Sequence, residues 1–442
     1  MKIKLPAKVE RIIEVLNSHG FEAYAVGGCV RDAILGRIPD DWDITTSALP
    51  EQVKALFART IDTGIMHGTV TVMLDKDGFE VTTYRIDGEY LDGRHPREVV
   101  FTPSLLEDLK RRDFTINAMA YSQKLGFVDL FGGMQDLQKK KICCVGDARE
   151  RFGEDALRIL RAVRFAAQLN FKIEEDTKQA IRELAFTLTK ISAERIRTEL
   201  VKLLNSNYPQ KIKDLYTLGI SKEILPLLDE AMETPMPKVG GFVGEYIVSC
   251  LEKSPNIEEV RWAILLSFFS QIQEKTLSKE FENGREDMGG SKLSKEILQG
   301  LRFDNYRINR IKSLVLWHDL ALPKGAKETR RYMSFMGEEM FFFFLELKRA
   351  FFIALGREEN KVQEEIFMVK AMGEEIIDKK VCVSLKGLAV DGSLLIKEGI
   401  EPGKKIGEIL CKLLDMVLEN PTLNERKILL DIVKKNYGNE KS

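Results

Sequence analysis

Apolar residues recur at helical spacing from the start of the chain: Val9, Ile12, Ile13 and Leu16 alternate with charges and predict an amphipathic helix. The apolar run Ala23 to Val26 predicts a strand, Gly27-Gly28 a turn, and Val30 to Leu35 a short helix with Arg31 in its first turn. A second strand is expected to begin near Asp41. Strand side chains alternate faces, so Asp41 and Asp43 would point one way and Trp42 the other. The stretch HGTVTVMLDKDGFEVTTYR alternates on both sides of Asp77-Gly78, which predicts a hairpin with Glu80 on a strand. His67, just before Gly68, reads as a turn residue.

Residues Asp87 to Glu98 are rich in charge, Gly and Pro and predict an exposed loop. Ser104 and Glu107 have capping-box spacing, so a helix is expected there, and Asp113 is placed to cap a second helical segment. FVDLFGGMQDL, with Asp129 and Gly132-Gly133, reads as a strand, a glycine turn and a helix. After Lys139 to Lys141 the pattern turns helical. In EDALRILRAVRFAAQL, Ala156, Leu157, Leu160, Val163 and Ala167 cover the apolar side of one helix, while Asp155, Arg158 and Arg161 share a polar sector with Arg164 at its edge. An exchange of Asp155 and Arg158 should therefore leave the fold intact. From Asn207 onward helical periodicity dominates, broken by Pro and Gly. The C-terminal region carries a helix with Ile406, Ile409, Leu410 and Leu413 on one face. The predicted class is α+β: a mixed-sheet head over 1–145, then a helical neck over 146–206, body over 207–325 and tail over 326–442.

A chain of 442 residues exceeds one compact core and fits several modules. Its 67 basic and 68 acidic residues balance, which excludes a wholly basic coat but leaves room for a local basic face. Six cysteines without a Cys-x-x-Cys read as reduced thiols, hence a cytoplasmic protein. No apolar run approaches the ~18 residues of a membrane span, the first helix is not a signal peptide, and nothing implies an obligate protein partner. His318-Asp319 suggests a metal-dependent phosphohydrolase dipeptide, but the other three histidines lie in or near the head, so no ligand set forms around it.

Asp-x-Asp by itself is ordinarily surface decoration. Behind a glycine turn and Arg31 it has a use: two hard, oxygen-ligated Mg2+ ions roughly 3.5–4 Å apart, which activate a hydroxyl and stabilise a leaving pyrophosphate. The stretch from Gly27 to Asp43 resembles the signature of polymerase β-like nucleotidyltransferases, specifically the class II tRNA nucleotidyltransferases or CCA-adding enzymes, whose pattern runs GG-x-VRD-xx-LG-xxxx-D-x-D. The resemblance is strong over about Val9 to Leu204 and loose beyond. It implies tRNA, CTP and ATP as substrates, Asp41 and Asp43 as metal ligands, and Gly27, Gly28 and Arg31 as nucleotide-binding. It also implies that Glu80 lies near the metals; the alternative is a hairpin's polar face. RRDFTINAM matches the family's second motif, which assigns nucleotide contact to Arg112 and sugar recognition to Asp113 and Asn117. FVDLFGGMQDL resembles a third motif of structural role, and the 87–98 loop lies where the family switches from C to A addition.

A charged helix face is usually just solvated, but base chemistry offers a second reading of the neck. Cytosine and adenine both present an amino donor beside a ring-nitrogen acceptor, whereas uracil and guanine present a carbonyl beside a ring N–H. Asp155 can accept from the amino group while Arg158 donates to the ring nitrogen, so side chains can serve as the template, discriminating by roughly 10⁴ or more. EDALR matches the family's nucleotide-recognition motif, and the resemblance places further contacts at Arg161 and Arg164. ISAERIRTEL matches its fifth motif, with Glu194 and Arg197 fixing neck helices, and the C-terminal region resembles the tail that grips the tRNA elbow. These motifs are shared with A-adding enzymes and poly(A) polymerases of the superfamily. A non-catalytic RNA-binding protein is the reading from another class, disfavoured because binding alone needs no metal carboxylates.

Overall fold

The computed structural model describes residues 2–88, 99–236, 240–269, 272 and 289–437. Most of the loop read over Asp87–Glu98 thus lies outside the described residues. The chain forms two compact units, one of residues 1–234 with 300–303, the other of 235–299 with 304–442.

The first unit opens with α1 (Ala7–Ser18), which buries the predicted Val9, Ile12, Ile13 and Leu16. Strand β1 (Ala23–Val26) is buried at every position because it lies inside a seven-stranded mixed sheet. In chain order there follow α2 (Gly28–Ile34), β2 (Ile44–Thr46), α3 (Pro50–Leu56), β3 (Thr60–Gly64), β4 (Thr69–Leu74) and β5 (Asp77–Thr83). A short ribbon of β6 (Arg85–Asp87) and β7 (Val99–Phe101), then α4 (Leu105–Lys110), lead to β8 (Met119–Ser122) and β9 (Gly126–Asp129). The sheet order is β3-β4-β5-β2-β1-β8-β9, with β2 and β5 parallel and the other pairs antiparallel.

Local expectations shift in four places. The strand after Arg31 begins at Ile44, not Asp41. Its last bond to β1 runs from the Val26 amide to the Asp43 carbonyl, and beyond it Gly27, at φ +85°, turns the neighbouring chain away. Helix α2 starts two residues early, at Gly28. The hairpin turns at Asp75-Lys76, since Leu74 pairs with Asp77, and Asp75 adopts the left-handed φ of 58° that Asp tolerates. The second helical segment near Asp113 is a single 3-10 turn, Thr115–Asn117.

The predicted glycine turn does lead from β9 into α5 (Gly133–Gln138), where Asp129 accepts from the Gly133 and Met134 amides at 2.8 Å each. Four helices build the neck: α6 (Ala148–Glu154), α7 (Leu157–Leu169), α8 (Glu175–Leu184) and α9 (Ala193–Leu204). It is not purely helical, because β10 (Lys141–Ile142) pairs in parallel with β11 (Lys172–Ile173). EDALR does not lie on one helix either. Asp155 breaks it at φ −142°, its carboxylate taking the Leu157 amide at 3.0 Å in place of a helical continuation.

The second unit is helical. Trp262, Phe269, Phe341 and Phe344 are fully buried, and the Tyr246 hydroxyl donates to the Phe351 carbonyl across helices Val243–Lys253 and Glu338–Ala354. His318 sits here with Nδ1 2.7 Å from the Val315 carbonyl oxygen. A separate core gathers Val390, Leu395, Ile409, Leu413, Val417 and Leu429, with Ile406 and Leu410 packed against it.

Candidate active site

A cleft of about 680 Å³ opens beside the parallel pair β2 and β5, in the middle of the sheet. Asp40, Asp41, Trp42 and Asp43 line it from one side and Lys76, Asp77 and Glu80 from the other. Since Ile44 pairs with Val81, Glu80 stands alongside Asp43. Asp43 meets solvent through the open cleft while protein crowds its other sides. Burial raises its carboxyl above the ordinary value, Arg112 opposes this, and Asp41 adds to it. Glu80 is raised by burial and then by Asp43 and Asp41. Three carboxylates therefore repel one another across one cleft, a cost that a hard cation relieves. Among the described residues no three acidic, His or Cys side chains stand at ligand spacing around one point.

The basic side of the site is built behind the Gly27-Gly28 turn. A Cβ on Gly27 would lie 2.9 Å from Nη1 of Arg112, so the glycine admits that guanidinium as well as the left-handed backbone. Arg112 is pushed down by burial and held up by Asp108 and Asp43. Arg31, 7% exposed, donates to Asn117 Oδ1 at 2.6 Å and to both oxygens of Asp32. Asn117 Nδ2 donates to Asp113 Oδ1 at 3.1 Å, and Arg161 binds Asp113 Oδ2 through Nε at 2.7 Å and Nη2 at 2.6 Å. One chain of polar contacts thus runs from α2 through the 3-10 turn to α7. Asp113 is fully engaged within it and touches solvent little. The Phe165 ring is its apolar counterpart, with the guanidinium carbons of Arg31, Arg161 and Arg164 at 5.1, 5.4 and 3.9 Å from its centroid.

On the neck, Arg158 and Arg164 are 8% and 7% exposed, so α7 does not carry a solvated charged face. Arg164 is pushed down to about 10 by burial, with Glu199 opposing at an ion-pair distance of 2.6 Å. Arg158 donates to Glu154 at 2.5 Å, to the Arg151 carbonyl at 3.1 Å and to the Arg111 carbonyl at 3.0 Å. Asp155, lying before the helix, meets Arg195 at 2.7 Å.

Several residues of this site escaped the sequence reading. Asp108 is fully buried and holds Arg111 at 2.8 Å, Arg112 at 3.6 Å and the Thr45 hydroxyl at 3.0 Å, tying the second arginine motif to β2. Its spacing of three and four residues from the two arginines was the available signal. Glu199 and Arg195 carry no comparable local signal, because their partners lie far along the chain, whereas Phe165 stands four residues after Arg161 at a spacing that was available too.

Residues 23–143 match the Poly A polymerase head domain family, residues 170–232 an RNA- and SrmB-binding site of polymerase A, and residues 288–433 domain 2 of tRNA nucleotidyltransferases. The chain is 36% identical to the CCA-adding enzyme of Lactobacillus delbrueckii subsp. bulgaricus, covering 96% of each sequence. It is likewise 36% identical to the CCA-adding enzyme of Lactococcus lactis subsp. cremoris, covering 99% of each. Among solved structures, the Bacillus stearothermophilus CCA-adding enzyme in complex with CTP superposes with a TM-score of 0.75 at 30% identity, over 98% of both chains.

Proposed function

The chain belongs to the CCA-adding enzymes, and from that membership we propose how its own residues divide the work of building a tRNA 3′ end. The enzyme adds C, C and A from CTP and ATP without a nucleic-acid template and releases pyrophosphate. The observation that carries the residue assignment is the meeting, beside the parallel strands β2 and β5, of a carboxylate-rich cleft with a buried arginine network.

Nucleotidyltransferases of this superfamily use divalent metal, and we assign Mg2+, held by Asp41 and Asp43 with Glu80 beside them. The repelling carboxylates fit such a cation. Bound there, it would supply Lewis-acid activation of the primer hydroxyl and charge neutralisation at the α-phosphate. The chain's own groups do the rest. Arg31 and Arg112, whose guanidinium groups lie against the Cβ-free Gly27-Gly28 turn, stand ready for the triphosphate. Asn117 faces the sugar, while Asp113 works indirectly by fixing Asn117 and Arg161. Asp155 and Arg158 read the base, supported by Arg161 and Arg164. We assign tRNA binding to the body and tail, and a cytoplasmic location with the tRNA pool.

The test is to supply tRNA lacking CCA, tRNA ending in CC, and complete tRNA, with CTP and ATP singly and together, and to sequence the products. Growth to CCA followed by arrest is expected. Growth only on tRNA ending in CC would mark an A-adding enzyme, and A tails of open length a poly(A) polymerase.

A further inference from the structure

Asp155 has a partner that no part of the nucleotide-reading scheme accounts for. Arg195, in the first turn of α9, donates from Nη2 to Asp155 Oδ2 at 2.7 Å, and the Leu157 amide donates to Oδ1 at 3.0 Å. A cation in the first turn of a helix opposes the helix dipole, so the stability of α9 does not explain its presence there. Both side chains are largely buried, at 22% and 17% exposure, which keeps the contact out of the class of loose surface pairs.

We propose that Arg195 is a positioning residue for base selection, holding the Asp155 carboxylate in the one orientation that accepts from the amino group of cytosine or adenine. The inference rests on the reading of Asp155 as a base contact. An ionised carboxylate offers about four lone-pair directions and no donor. Two directions are taken, one by Arg195 and one by the Leu157 amide, and these two bonds fix the carboxylate plane because they hold opposite oxygens. The remaining lone pairs then have fixed directions. With the Leu157 amide alone the carboxylate would pivot about a single bond, and its unused lone pairs would no longer meet an amino donor at fixed geometry. Arg158 needs no such external brace, being held from three sides by Glu154 and the Arg151 and Arg111 carbonyls.

The experiment compares wild type, Arg195→Met, Arg195→Lys, Asp155→Asn and the Asp155→Asn/Arg195→Met double variant. For each, kcat and KM are measured for CTP and ATP against UTP and GTP on tRNA primers, with thermal unfolding as the folding check. Arg195→Met, which keeps an unbranched stem but removes the guanidinium, is expected to lower selectivity for CTP and ATP by about tenfold or more, the scale of one misplaced hydrogen bond at a base-reading site. The loss should appear as a raised KM for CTP and ATP, and Arg195→Lys should recover part of it. In the Asp155→Asn background Arg195→Met should add nothing further. If Asp155→Asn keeps wild-type selectivity, the base-reading role of Asp155 itself fails. If Asp155→Asn loses selectivity while a folded Arg195→Met keeps it, or if the two losses multiply, Arg195 does not act through Asp155 and the inference is overturned.

Discussion

Asp113 receives four donors: the Phe114 amide, Asn117 Nδ2 and two nitrogens of Arg161. Burial works against its charge, yet Arg161 and Asn117 hold its carboxyl well below the ordinary value of 3.8. A carboxyl lowered on folding binds its proton more readily in the unfolded chain, so its contribution is complete above the ordinary value and is lost as pH falls through the folded one. Asp113→Asn should therefore be less stable than wild type near neutrality, with the gap narrowing between about pH 5 and pH 2 in urea unfolding. Asp113→Ala, which leaves Arg161 without its anion, should cost ~2–3 kcal/mol once the partial exposure of that arginine is discounted. An unchanged denaturation midpoint in both variants would remove Asp113 from the centre of the network. The letters RRDFTINAM identified these residues, but not that Asp113 faces inward. Spacing reports which side chains recur, whereas Arg161 reaches Asp113 from 48 positions away along the chain.

At the scale of elements, the strand, glycine turn and helix that present Arg31 were legible because turn chemistry and apolar runs are local. The helix break at Asp155 was not. Apolar periodicity runs through it undisturbed, and only the bond from the Leu157 amide to the carboxylate decides it. This changes one expectation: exchanging Asp155 and Arg158 would place a carboxylate against the Arg111 and Arg151 carbonyls and Glu154, so the doubly exchanged chain should misfold. A soluble, wild-type-like double variant would contradict that. The glycines before α5 give a cleaner contrast. A Cβ on Gly133 would sit 2.3 Å from the Thr115 carbonyl oxygen, backbone of the turn that carries Asn117, whereas Gly132 has open space and only a positive φ of 76°. Gly133→Ala should cost ~1–3 kcal/mol by overpacking and raise KM for both nucleotides. Gly132→Ala should cost a comparable ~1–2 kcal/mol through backbone strain with KM unchanged. Equal kinetics for the two would show that the α5 contact does not position the site.

Across the whole molecule, chemistry was readable in the first unit and scarcely in the second. The head and neck carry Asp, Arg and Gly at spacings that match the family's motifs, while the helices beyond Pro235 encode packing, which many sequences satisfy. The helix Glu338–Ala354 buries Phe341 and Phe344 in the second unit's core, but the C-terminal helices have a core of their own. Removal of residues after Asp378, combined with Arg330→Met to replace the buried guanidinium that the Leu418 and Glu419 carbonyls accept from, should therefore leave a folded protein that still extends a short acceptor-stem hairpin, while KM for full-length tRNA rises about tenfold or more, as expected when one of two linked contact surfaces is lost. Loss of activity on both substrates would place the last helices in the catalytic fold instead.

The most direct measurement of the central claim, that the cleft between β2 and β5 performs the transfer, is single-turnover CTP incorporation by Asp41→Asn and Asp43→Asn beside their affinity for tRNA. Both substitutions leave the sheet and the arginine network in place and remove one negative charge from the cleft. Incorporation should fall by several orders of magnitude while tRNA affinity stays near wild type. Near-normal turnover in either folded variant would contradict the assignment.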